Sequence, residues 1–390
     1  MNQYITNSDT IIFAPDFNDK LDINLISGYT KLIFSNYNVM NDKLFELYES
    51  GNSNNLYHHI KNSKFNQEVD NLPSIITHLI FGFAFNQPVE NLPQNLTNLT
   101  FGTEFNQPVE NLPQNLTNLT FGFAFNQPVE NLPPKLIYLE FRGKFNQDVN
   151  NLPQEITHLT FGYAFDKVVE NLPSELTHLK FGDEFNQPVE NLPSKLTYLG
   201  FSIYFNQKVN NLPITLTHLI FGSCFNQEVN HLPASITHLT FSDNFNQMIG
   251  NFPSYLTHLT FGYEFNQNIN LPSSIYYLKL NCNNQYVIDN LPDSIEELEL
   301  DTFFGLELNN LPTSIRKIIF VLHSPYNKEL NCLPNSVEFL QLPMVYNNKI
   351  LNIPSGLKKI CCFEHYKYLD DFAKYNVQHI ERLDDIIFID

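Results

Sequence analysis

A two-residue element, an apolar residue followed by proline, returns through most of this chain at a near-constant interval, and no other feature restricts its fold so severely. It opens as Leu72-Pro73 and recurs at Leu92, Leu112, Leu132, Leu152, Leu172, Leu192, Leu212 and Leu232, 20 residues apart each time. Phe252, Leu271, Leu291, Leu311, Leu333 and Ile353, each before a proline, extend the series, with one residue lost before Leu271 and two gained before Leu333. That makes fifteen turns of one unit. A fixed period of this size is the mark of an array whose units stack on their neighbours.

Numbered from the leucine of Leu-Pro as zero, apolar residues return at +4, +7, +9, +13 and +17, as in Ile76, Leu79, Phe81, Phe85 and Val89. The +7 and +9 residues flank a more polar +8, the period of two expected of a strand of about four to five residues. Twenty residues with one short strand cannot bury their own apolar face, so each turn must lie on the next and build a parallel sheet along one side of a coil. The expected fold is mainly β: a right-handed solenoid of about 15 coils of 20 residues, with one short parallel strand per coil and degenerate capping coils at both ends. At about 4.8 Å per strand, it would run for roughly 70 Å. Alanine is scarce, which argues against a helical chain.

Two phenylalanine columns account for the ring content. The +9 column runs from Phe81 to Phe261 and the +13 column from Phe65 to Phe265, and together they hold 21 of the 35 phenylalanines. Rings stacked from coil to coil would form an internal spine. The residue after the second phenylalanine is nearly always asparagine, as at Asn66, Asn86, Asn106 and Asn126, with Asp166 once in its place. Asparagine suits a tight turn, because it bonds backbone groups locally and tolerates the left-handed conformation, and stacking would align these residues in a ladder.

The chain divides by pattern. Residues 1–60 read as degenerate coils forming a cap, with Leu44, Phe45, Leu47 and Tyr48 marking a short helix at 41–50. Regular repeats fill 61–270, a degenerate leucine-richer series fills 271–356, and 357–390 closes the array with a polar surface.

The segment Phe-Asn-Gln-Pro-Val-Glu-Asn-Leu-Pro, at Phe85 to Pro93 and again from Phe105 and Phe125, resembles the FNIP repeat family of social amoebae and of the giant viruses that infect amoebae. That family is regarded as leucine-rich-repeat-like, and Leu291 to Leu300 is similar to the 20-residue leucine-rich frame. Phenylalanine at +13, where the leucine-rich type places asparagine at +12, leaves the curvature open. Many viral members carry an F-box ahead of the repeats, so the resemblance implies substrate recognition for a host ubiquitin ligase. No three-helix module of that kind is readable in residues 1–60. A structural or virion-associated role is the other implied alternative.

The +6 position forms the candidate partner-binding face: His78, Asn98, Asn118, Tyr138, His158, His178, Tyr198, His218, His238 and His258. It flanks the core leucine and faces away from it, and repeat proteins commonly bind through their sheet side. Three successive histidines, His218, His238 and His258, suggest a metal, but no cysteine or carboxylate beside them completes a tetrahedral set, so the expectation is no metal. Glu90, Glu110, Glu130, Glu170 and Glu190 line a second column, read as a hydrated acidic ridge. The Asn-Leu-Thr triplets from Asn95, Asn98, Asn115 and Asn118 follow from the repeat alone.

Motifs for phosphate binding, for a nucleophile elbow and for a zinc protease are missing from the sequence, so no catalytic residue, cofactor or enzymatic activity is expected. A net charge of −19 disfavours nucleic acid. No apolar run is long enough for a bilayer. Met1 to Phe13 shows no secretory pattern, and the five scattered cysteines fit reduced thiols, which places the protein in a cytoplasm, or in the host cytoplasm or virion if it is viral. The sequence thus reads as a non-enzymatic scaffold for a protein partner.

Overall fold

The computed structural model describes residues 3–37, 61–363, 365–373, 377 and 379–382. The helix expected at 41–50 lies outside the described residues. The chain forms two compact units, Met1–Ser202 and Ile203–Asp390. The fold is mainly β, a parallel-strand solenoid of about 16 turns spaced about 20 residues apart.

In the first unit, β1 (Tyr4–Asn7) runs antiparallel to β2 (Thr10–Phe13), which begins a parallel ladder through β3 (Lys31–Phe34) and β4 (His78–Ile80). The ladder continues in β5 (Asn98–Thr100), β6 (Asn118–Thr120), β7 (Tyr138–Glu140), β8 (His158–Thr160), β9 (His178–Lys180) and β10 (Tyr198–Gly200). One helical turn, α1 (Ile23–Ile26), is capped by Asp22, whose carboxylate accepts from the Asn24 N–H.

In the second unit, β11 (His218–Ile220), β12 (His238–Thr240), β13 (His258–Phe261), β14 (Tyr277–Leu280), β15 (Glu297–Leu300) and β16 (Lys317–Phe320) pair in parallel. They are followed by β17 (Phe339–Gln341), β18 (Lys359–Cys362) and β19 (His379–Arg382). The last strand lies one rung beyond the final Leu-Pro element. Two short helices lie between strands, α2 (Gln285–Asp289) between β14 and β15 and α3 (Leu369–Ala373) between β18 and β19.

Strands span three or four residues, shorter than the alternation suggests. At +10 in the first regular coils, a Cβ on Gly102 would fall 1.7 Å from the Gly82 carbonyl oxygen. The backbones of Gly82, Gly102 and Gly122 approach too closely there for a side chain, whereas Arg142, Ser202 and Ser242 hold the same position in other coils.

The core is built from the two phenylalanine columns. Phe81 and Phe85 stack at 3.6 Å and 5°, and Phe101 and Phe105 at 3.7 Å, so the closest ring contact joins +9 to +13 within one coil. Between coils the separation widens, to 5.8 Å for Phe81 and Phe101 and 6.1 Å for Phe85 and Phe105. The spine is therefore a row of intracoil pairs, and Phe85, Phe105 and Phe125 are wholly buried. Burying each ring contributes about 1.5–3 kcal/mol, and each pair adds about 0.5–1.5 kcal/mol.

The asparagine ladder works across coils, rather than within its own turn. Asn86 Oδ1 accepts from the Asn106 N–H at 2.9 Å and from Gln107 Nε2 at 3.2 Å, while Gln107 Nε2 also donates to the Asn86 carbonyl at 3.1 Å. Asp166 keeps the scheme, accepting from the Asn186 N–H at 3.0 Å. Among the described residues only Ser8 is a non-glycine with positive φ, so the left-handed turn expected of asparagine is not used.

Candidate interaction face

Parallel pairing without slippage turns a residue type repeated every 20 positions into a column. In the first unit, Lys31, His78, Asn98, Asn118, Tyr138, His158, His178 and Tyr198 are successive Cα partners. In the second, His218, His238 and His258 align and continue into Tyr277, Glu297 and Lys317. Each lies beside a fully buried core residue such as Leu79 or Leu239 and is itself half-buried, apart from the exposed His178.

The rings stack along the strand-to-strand direction. His158 and His178 lie 4.2 Å apart at 9°, His218 and His238 4.1 Å apart at 13°, and His238 and His258 3.9 Å apart at 14°. Near-parallel planes aim the ring nitrogens of the second unit's triplet side by side instead of at a common point, and the described residues contain no cluster of three or more His, Cys, Asp or Glu able to hold a metal. A threonine at +5 holds each imidazole: Thr77, Thr157, Thr237 and Thr257 bring Oγ1 to 2.8 or 2.9 Å from the Nδ1 of the next residue. Thr97 and Thr117 do the same for Asn98 and Asn118 at 2.9 and 2.8 Å.

His78, His218, His238 and His258 resist protonation. Burial pushes His78 below its ordinary value, aided by the charge of Lys31. Burial lowers His218 as well, and takes His238 down to about 4 together with the two flanking imidazoles. His258 is lowered by burial, against the opposing charge of Glu297. Burial, followed by the charge of Glu140 and its hydrogen bond at 3.0 Å, raises the Tyr138 hydroxyl to about 12.

Sequence reasoning stopped this face at His258, yet the same count of +6 from each Leu-Pro finds Tyr277, Glu297, Lys317, Phe339 and Lys359. Here the surface becomes charged. Tyr277 donates to Glu299 at 2.6 Å, and Lys279 bridges Glu299 and Asp301 at 2.8 Å each. Lys317 and Lys359 lie 5.7 and 5.6 Å from the centre of the Phe339 ring, one from each side along the ladder. The +5 threonines were also missed, although Thr-His recurs visibly in the sequence. The glutamates of the second column are exposed about half a coil away from the strands. No helix among the described residues is long and apolar enough to cross a membrane.

Comparison with known proteins follows this geometry. The chain is similar to CroV588, a giant-virus protein described as a novel circular leucine-rich-repeat structure, with 33% identity and a TM-score of 0.67. That match covers 93% of this chain and 64% of CroV588, so the chain spans less than two thirds of its neighbour's length. YopM from Yersinia enterocolitica (18% identity, TM-score 0.39, covering 77% of this chain and 81% of YopM) is a more distant similarity. The functional domain of InlJ from Listeria monocytogenes (14%, 0.44, covering 91% and 67%) is another. No curated protein matches the sequence. The FNIP Repeat family matches ten overlapping stretches that run from residues 65–104 to residues 265–303. Matched over more than half its length, and with its Phe-Asn columns serving as spine and ladder, this chain belongs to the FNIP-repeat family.

Proposed function

We propose that the chain is a non-enzymatic scaffold that docks a protein partner on its strand face, through the column from His78 to Tyr198 in the first unit and from His218 to His258 in the second. The leucine-rich-repeat-like solenoid is typical of interaction scaffolds. The observation that carries the reading is the orientation of this column. Threonine at +5 holds each imidazole or amide in one pose, and face-to-face stacking prevents the rings from turning independently. A surface whose polar groups are already ordered loses little side-chain entropy on binding. Tyrosine and histidine also supply amphipathic contact area.

The test replaces His158 and His178 in the first unit, or His218 and His238 in the second, with alanine or glutamate and measures partner capture from amoebal lysate. Circular dichroism should match the parent protein while capture is lost. Unchanged capture by a folded variant would remove the strand face from consideration.

A further inference from the structure

The protons on this face can be assigned by counting lone pairs. Each +5 threonine hydroxyl has one proton and two acceptors within reach. Thr97 Oγ1 lies 3.2 Å from the Thr77 carbonyl oxygen and 2.9 Å from Asn98 Oδ1. That carbonyl already accepts from the Thr97 N–H at 2.9 Å and the Asn98 N–H at 3.1 Å, which occupies both its lone pairs. The Ile137 and Thr217 carbonyls are filled in the same way, by the N–H groups of Thr157 and His158 and of Thr237 and His238. The hydroxyl proton therefore goes to the nearer acceptor, Oδ1 of asparagine or Nδ1 of histidine.

This assignment sets what the face offers. With Nδ1 accepting, a neutral imidazole carries its hydrogen on Nε2, and with Oδ1 accepting, the asparagine NH2 is turned the other way. His78, Asn98, Asn118 and His158 then present N–H donors and no acceptor, and among the described residues no acceptor of the chain meets these nitrogens. Tyr138, within the same column, gives its own hydrogen to Glu140.

Donors need acceptors, and lysine and arginine side chains have none. The charges beside these rungs do not repel an anion. Lys31 lies 3.6 Å from Asp9, Glu140 is held by Arg142 at 2.8 Å, and Lys180 is exposed. The acidic column stands half a coil away, where physiological salt screens it. We infer that the first unit's face from His78 to His158 takes an acidic segment of a protein partner, whose carboxylate oxygens accept from His78 Nε2, Asn98 Nδ2, Asn118 Nδ2 and His158 Nε2. The inference rests on the reading of this face as the docking surface and adds the chemistry of its occupant.

Nitrogen-15 NMR of the histidine rings at neutral pH tests the assignment, with the hydrogen expected on Nε2 of His78 and His158. Titration with a short glutamate-serine peptide should then shift those nitrogens and the side-chain amides of Asn98 and Asn118, while matched lysine-serine and glutamine-serine peptides leave them in place. The paired variant Asn98→Asp and Asn118→Asp keeps the acceptor for each threonine but removes the donors, and it should weaken the glutamate peptide by about tenfold or more with no change in circular dichroism. Hydrogen found on Nδ1 overturns the inference, as does a glutamate peptide that shifts none of these groups. A response to the lysine or glutamine peptide instead would keep the docking face and refute its acidic occupant.

Discussion

Replacing Asn106 by alanine isolates the ladder that ties each coil to the next. Its Oδ1 accepts from the Asn126 N–H at 2.9 Å and from Gln127 Nε2 at 3.2 Å, and both bonds disappear with the side chain. Asn126 is exposed, so water can take up its freed N–H, and the loss is the net contribution of the bond, about 0.5–1.5 kcal/mol. Gln127 loses less, because it retains the Asn106 carbonyl at 3.1 Å. The expected loss is therefore about 1 kcal/mol, most of it at one backbone amide. Asn106→Asp keeps an acceptor of the same shape, as Asp166 does naturally, and should stay within about 0.5 kcal/mol of the parent protein. Urea unfolding followed by circular dichroism measures both, and hydrogen exchange at Asn126 locates the effect. Equal stability of the alanine and aspartate variants, with unchanged exchange at Asn126, would show that the ladder does not join the coils.

Phe125→Ala, which removes a wholly buried ring stacked on Phe121 at 3.8 Å, should cost about 3–5 kcal/mol in the same assay, whereas the half-exposed Tyr163→Ala should change stability by about 0.5 kcal/mol or less. His238 should titrate near pH 4 by NMR. Since the unfolded chain takes up that proton near the ordinary value of 6.5 and the folded chain does so only near 4, acidification across this interval withdraws stability, and His238→Asn should lessen the loss. An ordinary His238 titration would contradict the shielded stack. Phe339→Leu should remove about 0.5–1 kcal/mol by withdrawing the ring face from Lys317 and Lys359, which urea unfolding would register.

How much of this was readable beforehand differs from residue to residue. The spine was legible because phenylalanine returns at two registers of one period, and a period survives folding wherever coils lie directly over one another. The pairing of Phe81 with Phe85 inside one coil was not legible, since spacing along the chain does not say which ring a side chain leans on. Asn86 was recognised as a ladder residue for a partly mistaken reason: its role is set by the N–H of Asn106 in the next coil, a distance of 20 residues that local turn chemistry ignores. Strand length was overestimated because hydrophobic alternation continues through Phe81 while the backbone already turns at Gly82. β1 escaped notice because Tyr4–Asn7 lies outside any Leu-Pro frame and pairs antiparallel. The face beyond Leu271 was lost when histidine gave way to Tyr277 and Glu297, although the register itself persisted.

The central claim is that residues 20 positions apart are neighbours on adjacent rungs, since the spine, the ladder and the docking face all follow from it. Paired cysteines read this out directly in a background with Cys224 and Cys332 changed to serine. Asn98→Cys with Asn118→Cys, on strands about 4.8 Å apart, should close a disulfide readily under mild oxidant in the folded protein. Asn98→Cys with His158→Cys, three rungs and about 14 Å apart, should remain reduced. Equal cross-linking of the two pairs, or none in the adjacent one, would contradict the in-register stack.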